Sequence, residues 1–337
     1  MIDIITLKNF TNFRNNTFNF CKGINVFIGK NGTGKTHILK CLAATMYAEN
    51  KVNMGIGEAL MRYFKPEALE NLIKKGVDKA EVSISHNNKI ISYTLIHSKD
   101  SAAVCSQIDK EETDANAIYI PPREILSVFE GFLGLIEKRE ISFDETYISL
   151  AKALSVPPLR KDILNPLQSA MSILEQELRF EVVQKHGRFY IKDDTGMTEA
   201  HLVAEGMRKL ASVMYLLSNG ELNKDSILFW DEPESNLNPV LIRVTTLFIM
   251  ELSRCGVQVF IATHDYLFTS LLSMYTEYKK DTDTLNTKFF SLYKKNDSIS
   301  TEEEDLMSGL DHNPLLHEHA ALYDLGNSLA WKQSITQ

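Results

Sequence analysis

The residues whose types and spacing suit chemistry begin at Gly29-Lys30-Asn31-Gly32-Thr33-Gly34-Lys35-Thr36, which fits the pattern G-x-x-x-x-G-K-[ST]. Glycines at 29, 32 and 34 let successive backbone N–H groups, those of Lys30, Asn31 and Thr33 included, turn toward one anion. Lys35 reaches terminal phosphates, and Thr36 offers a hydroxyl to Mg²⁺. A second run, Ile227-Leu228-Phe229-Trp230, is an apolar strand that empties into Asp231 and Glu232. Adjacent carboxylates of this kind suit phosphoryl transfer: Asp231 as the metal-side acid, Glu232 as the group that polarises the attacking water. A third apolar run, Val257 to Ala262, ends at Thr263-His264-Asp265 and places His264 within reach of a γ-phosphate, at the strand edge where open α/β sheets bind ligands.

These groups need elements to hold them. Ile24-Asn25-Val26-Phe27-Ile28 reads as a strand stopping at Gly29, and Ile38, Leu39, Leu42, Ala43, Met46 and Tyr47 recur at helical spacing between Lys35 and Ala48. A first strand is expected near residues 1 to 8. Residues 80 to 97 alternate about Asn87-Asn88 as an antiparallel hairpin, and the polar stretch 99 to 116 reads as a loop. Ile118-Tyr119-Ile120 is a short strand ended by Pro121-Pro122. Residues 123 to 179 are mostly helical, broken at Pro157-Pro158 and Pro166. A hairpin from Phe180 to Lys192 turns at His186-Gly187. Helices follow from Gly206 to Leu217 and from Pro239 to Cys255. Beyond Lys288 to Tyr293, another strand, Thr301 and Glu304 fit a capping box that opens an acidic helix, before a C-terminal helix. Alternating strands and helices imply an α/β fold with a mostly parallel core sheet.

The chain has 337 residues, 44% hydrophobic and 24% charged, which excludes disordered and collagen-like classes. Its net charge of −8 excludes a bulk DNA-coating surface and leaves nucleic acid only a local patch. Cys21, Cys41, Cys105 and Cys255 are scattered, without a C-x-x-C pair, as expected of a reduced intracellular protein. No apolar run approaches a membrane span, so the expected location is cytoplasmic, without a membrane partner.

With these runs in this order, the chain resembles the ATP-binding cassette (ABC) ATPases, and among them the RecF, SMC and OLD-like branch of DNA repair and anti-phage systems. The likeness rests on Ile4 to Phe20, on Gly23 to Gly32, and on Asp231-Glu232-Pro233-Glu234-Ser235-Asn236-Leu237-Asn238-Pro239. It implies a P-loop NTPase fold with an antiparallel β subdomain and an inserted helical lobe. The expected segments are 1–120 with the Walker A loop and β subdomain, 121–180 as the helical lobe, 181–285 with signature, Walker B, D-loop and switch His, and 286–337 as a strand and helical tail. It also implies ATP and Mg²⁺, with Lys35, Glu232 and His264 catalytic and Thr36 and Asp231 at the metal. A second copy closes over the nucleotide, presenting the signature Val203-Ala204-Glu205-Gly206-Met207-Arg208-Lys209, from which Glu205 and Gly206, with Ser235 of the D-loop, meet the phosphates.

Three departures stand out. Ala204 replaces the usual serine, removing a hydrogen bond to a charged acceptor worth about 1.5–3 kcal/mol and so weakening dimerisation. Asn238 replaces the usual D-loop aspartate. No glutamine follows Ile120; Gln107 lies in a polar stretch before that strand, and Arg123 or Glu124 is the candidate substitute. The segment between Thr36 and Val203 is too short for long coiled-coil arms, and the residues after Asp265 are too few for a nuclease domain, so Asp281-Thr282-Asp283 reads as a polar loop. His312, His317 and His319 fall on different helix faces and do not suggest a metal site. Without effector chemistry of its own, an ATPase of this kind is expected to switch a separate effector protein, and the resemblance points to phage defence. The rivals are a RecF-like DNA clamp, which needs a basic strip from Lys152, Arg160, Lys161, Arg179 and Lys185, and a transporter nucleotide subunit, which usually keeps the serine and glutamine missing here. Trp331 either docks the last helix or contacts another subunit.

Overall fold

A computed structural model describes residues 1–51, 54–97, 103–107, 116–139, 142–160, 166–280, 282–296 and 298–335. Lys161 and Asp281 lie outside them, as do the side chains of Cys105 and Trp331. The strands are β1 (Ile2–Phe10), β2 (Phe13–Asn19), β3 (Ile24–Gly29), β4 (Lys79–His86), β5 (Lys89–Ile96), β6 (Ala103–Gln107), β7 (Ala117–Ile120), β8 (Glu181–Lys185), β9 (Arg188–Asp193), β10 (Gly196–Glu199), β11 (Ile227–Asp231), β12 (Gln258–Thr263), β13 (Thr287–Lys295) and β14 (Ser298–Glu304). The α-helices are α1 (Lys35–Asn50), α2 (Ile56–Phe64), α3 (Phe132–Arg139), α4 (Glu145–Leu154), α5 (Gln168–Leu178), α6 (Glu205–Ser218), α7 (Pro239–Arg254), α8 (Tyr266–Glu277) and α9 (Pro314–Ile335).

The core sheet runs β14-β13-β3-β12-β11-β7, parallel throughout except for the antiparallel edge strand β14. Every residue of β3, β11 and β12 is buried, as the unbroken apolar runs require of strands covered on both faces. Alternate residues feed two cores. Phe27, Phe229 and Phe260 pack toward α1 and an antiparallel sheet of order β2-β1-β4-β5-β6, while Val26, Trp230 and Ile261 pack toward α6, α7 and the helical lobe. Gln258 locks the first sheet to the core, accepting from Ile2 N at 2.8 Å and donating to Ile2 O at 2.7 Å.

Register does the positioning. Asp231 pairs with Ala262, Thr263 with Ile28, and Leu292 with Gly29, so the loops after β3, β11 and β12 leave one sheet edge together. Strands from the stretches 1–120, 181–285 and 286–337 thus share a single sheet. The helical lobe is tied to α1 by Lys40 and Asp144 at 2.6 Å and by the buried Glu145, which accepts from Tyr47 Oη at 2.9 Å.

Two sequence expectations are corrected. Within the stretch read as a polar loop, β6 pairs antiparallel with β5, Ser92 opposite Gln107, so Gln107 belongs to a strand. The acidic run is not a helix start: Thr301 to Glu304 lies in β14, opposite β13. Alternation wins there because its acids have partners that a capping box does not provide. Glu303 meets Lys288 at 3.2 Å and Asn19, while Glu302 accepts the backbone N–H groups of Asp311 and His312. Among its described residues the C-terminal segment therefore holds two strands and an α-helix. The hairpin at His186-Gly187 also gains a third strand, β10, on β9.

Candidate functional site

The loop between β3 and α1 takes a backbone suited to glycine: φ is 154° at Gly29, 76° at Gly32 and 96° at Gly34. Gly29 and Gly34 are also fixed by close approach, since a Cβ would stand 2.4 Å from Leu292 O and 2.7 Å from the Phe13 ring. Gly34 caps α1 without a side-chain hydrogen bond, so the positive end of the helix faces the loop uncovered. Lys35 is buried and donates to Gly29 O at 2.7 Å and Lys30 O at 3.2 Å, while Thr33 Oγ1 donates to Lys30 O at 2.9 Å. Burial lowers the Lys35 ammonium below its ordinary value, against the pull of Asp231, Glu232 and Glu234.

Across the sheet edge, Thr36 Oγ1 donates to Asp231 Oδ1 at 3.2 Å, and the buried Tyr119 hydroxyl donates to Asp231 Oδ2 at 3.3 Å. This hydroxyl–carboxylate set, hard oxygen donors beneath a phosphate-type loop, fits Mg²⁺. Burial pushes the Asp231 carboxyl up to about 6, although the Thr36 hydrogen bond opposes it. The folded state therefore holds this proton more tightly than the unfolded chain. Its contribution destabilises as pH climbs from the ordinary 3.8 through about 6 and is fully adverse above that. Asp231→Asn is expected to stabilise the chain free of nucleotide and metal by about 1–3 kcal/mol at pH 7, with the gain vanishing near pH 4. Urea unfolding at both pH values tests this; an equal effect at each would show that buried charge is not the cause.

Glu232 has φ of 50°, an uncommon left-handed value for a side chain with a Cβ, while its N–H still donates to Ala262 O at 2.8 Å. The chain thus turns off the sheet at this residue, leaving Glu232 Oε1 3.2 Å from His264 Nδ1. Thr263 Oγ1 donates to Glu234 Oε1 at 2.7 Å, joining the loop after β12 to the loop after β11. Lys209, buried on α6, donates to Glu232 O and to Ser235 Oγ, and Ser235 Oγ donates in turn to Pro122 O at 3.0 Å. Burial pushes the Lys209 ammonium down to about 8, with the neighbouring Glu234, Glu232 and Asp231 pulling it back.

All the phosphate-loop residues, Asp231, Glu232 and His264 therefore converge on one edge. Ser235 and Gly206 are held within the chain. A Cβ on the buried Gly206 would stand 2.3 Å from Asn236 O, so this glycine is needed for α6 to approach the loop after β11. Ala204, exposed, begins α6 with no side-chain cap, and Glu205 stands half-buried beside it. Asn238 caps α7, its Oδ1 accepting from Leu241 N at 3.0 Å. Glu124 is engaged with α6 through Arg208 Nε at 2.7 Å, whereas Arg123 is exposed. His312 stacks on Tyr293, and the His319 ring lies tilted against Tyr266. Gly206→Ala is expected to lower stability by about 1–3 kcal/mol through overpacking, read as a lower urea midpoint. Three neighbours escaped the sequence reading. Tyr119 hides in an apolar strand, while Lys209 and Glu234 stand inside quoted motifs without a role assigned to them.

The core sheet, the glycine loop and the carboxylates beyond β11 define a P-loop ATPase of the ABC type. A family model described as an AAA domain matches residues 5–178. A second AAA-domain model, whose description connects it to the AbiEii toxin of type IV toxin–antitoxin systems, matches residues 119–270. The chain belongs to this AAA-domain family and, within it, to the RecF/SMC/OLD-like branch of ABC-type ATPases. It is 26% identical over 233 residues to the DNA double-strand break repair Rad50 ATPase of Methanococcus maripaludis, covering 55% of this chain and 22% of that one. It is 32% identical over 81 residues to the DNA replication and repair protein RecF of Azobacteroides pseudotrichonymphae, covering 24% of this chain and 22% of that one. The matches thus span under a quarter of either relative's length. Two solved structures share the fold. An SMC head bound to the C-terminal winged-helix domain of ScpA has a TM-score of 0.56 at 12% identity, with 91% of this chain and 98% of that one covered. The SMC head with an extended coiled coil bound to the C-terminal domain of ScpA, from Pyrococcus furiosus, has a TM-score of 0.52 at 11% identity, with 96% and 99% covered.

Proposed function

We propose that this chain binds ATP with Mg²⁺ at the loop 29–36 and hydrolyses it between two copies of itself. The observation that carries the reading is the Thr36–Asp231 pair, 3.2 Å apart, beneath a glycine-turned loop whose lysine rests on loop carbonyls. When ATP binds, Lys35 exchanges the Gly29 and Lys30 carbonyls for phosphate oxygens, charged acceptors that make the stronger hydrogen bonds. Thr36 and Asp231 hold Mg²⁺, which when bound neutralises charge on the phosphates. Glu232 orients the attacking water, and His264 contacts the terminal phosphate from the neighbouring loop. From the other protomer, the uncapped start of α6 around Ala204, Glu205 and Gly206 turns its N–H groups to the same phosphate, with Ser235 alongside. Ala204 offers no hydroxyl, so closure is weaker than with a serine and suits a homodimer or larger homo-oligomer helped by a partner.

In this reading the chain is a cytoplasmic switch or scaffold for a separate effector protein in anti-phage defence. Support comes from the toxin-linked family description and from SMC heads solved with ScpA. Among the described residues no helix is long and apolar enough to cross a membrane. The test is the ATPase rate against protein concentration, with and without a chelator. The rate per chain should rise with concentration and vanish without Mg²⁺; a rate per chain independent of concentration would contradict hydrolysis at a shared site.

A second reading is a RecF-like clamp on DNA, which the Rad50 and RecF relatives favour together with the exposed Lys152, Arg160, Arg179 and Lys185. It requires ATP-dependent duplex binding that weakens steeply with salt. Absence of such binding at low salt would remove it.

A further inference from the structure

Glu234 has no part in the chemistry above, yet its placement is unusual. Its side chain is only 6% exposed, and Oε2 is buried with no hydrogen-bond partner among the described residues. A buried carboxylate oxygen left unmet is costly, so its retention calls for a donor that arrives in another state of the protein. The other oxygen fixes the group in place: Oε1 accepts the Thr263 hydroxyl at 2.7 Å and lies 3.4 Å from the His264 backbone nitrogen. The same Oε1 is 4.0 Å from His264 Nδ1, which now sits 3.2 Å from Glu232 Oε1. One imidazole nitrogen therefore has one carboxylate at hydrogen-bond distance and a second carboxyl group, 4.0 Å away at its nearer oxygen, that it meets only by turning. A carboxylate only accepts, so the nitrogen facing it carries the proton.

The three groups differ in freedom. The His264 side chain is 50% exposed and that of Glu232 33%, whereas Glu234 is enclosed. Lys209 holds the Glu232 main chain through its carbonyl, so the imidazole is the part free to turn. While His264 is bonded to Glu232, one oxygen of the water-orienting acid is occupied.

We propose that Glu234 is a positioning residue for His264: its unmet Oε2 is the alternative acceptor for the Nδ1 proton, and the turn of the imidazole from Glu232 to Glu234 frees Glu232 to orient the attacking water. Only a hydrogen bond is exchanged, and no proton changes owner. The inference rests on the ATPase reading above and assigns a task to a residue that reading leaves idle.

The test is a double-mutant cycle in single-turnover ATP hydrolysis, with Glu234→Gln placed in the native and the His264→Ala backgrounds. The amide is nearly isosteric: its oxygen still accepts from Thr263, while its NH2 takes the place of Oε2 and cannot accept the Nδ1 proton. In the native background the hydrolysis rate is expected to fall about 10-fold or more, while KM and the Mg-ATP dissociation constant stay within about twofold. In the His264→Ala background the same change is expected to move the rate less than about twofold. Glu234→Asp, which keeps the carboxylate, is expected to recover part of the rate, and urea midpoints confirm that each variant folds. Equal losses in both backgrounds would show that Glu234 merely braces the loop, and an undiminished rate would show that it is not used. Failure of the native chain to bind or turn over ATP would instead overturn the assignment of the site.

Discussion

Lys35→Ala is expected to weaken ATP binding by at least about 100-fold, to the point where saturation is lost. Lys35 makes two hydrogen bonds to loop carbonyls, at 2.7 and 3.2 Å, so it is already drawn into the cradle rather than extended into solvent. Exchanging these for phosphate oxygens turns two charged–neutral bonds into charged–charged ones, and a net gain of about 1.4 kcal/mol from each accounts for a loss of about 100-fold. The fold should survive, because alanine removes a buried cation whose pKa burial has already lowered and leaves the loop glycines untouched. Fluorescent ATP titration with a parallel urea melt separates the two effects. Undiminished affinity would mean that nucleotide binds elsewhere.

Glu232→Gln should act on the other half of the cycle. The amide keeps the side chain's size beside His264 but no longer polarises water, so hydrolysis is expected to fall by about 100- to 10,000-fold while ATP affinity is retained. Because hydrolysis reopens the proposed dimer, the variant should accumulate as a long-lived dimer with ATP and Mg²⁺ in size-exclusion chromatography, where the native chain exchanges. The left-handed backbone at this residue makes Gln the right substitution, since it keeps the Cβ and chain length that the turn already accommodates. A variant that stays monomeric and hydrolyses ATP at the native rate would take the water-orienting role from Glu232.

What could be read from the sequence follows from how local each signal is. The phosphate loop, the unbroken apolar strands before it and before Asp231 and His264, and the intervening helices with their period of about 3.6 residues are all local signals, and they stand where expected. The convergence of Gly29, Asp231 and Thr263 followed from the rule that ligands gather at one edge of a parallel sheet, and the register realises it. What failed was decided at long range. Thr301 to Glu304 matched a capping box locally, but Glu303 finds Lys288 and Asn19 across the sheet, and the strand prevails. The strand β6 lay hidden in polar composition because its stability comes from pairing with β5. Tyr119, Lys209 and Glu234 received no role for the same reason: the last two stand in quoted motifs, but each makes its contact with a segment distant in sequence, to Asp231, Glu232 and Thr263 respectively. Glu124 was legible only as a position. That its carboxylate engages Arg208 depends on how the helical lobe folds back on α6.

The central claim is that two copies of this chain close around nucleotide held by the 29–36 loop and the Thr36–Asp231 pair. Its most direct test is light scattering on the native chain, with bound nucleotide counted in the same peak, in Mg²⁺ and a non-hydrolysable ATP analogue. The account predicts a mass of two chains carrying two nucleotides, reverting to one chain when Mg²⁺ is chelated. A single chain with no bound nucleotide, or a dimer that forms equally well without it, would contradict it.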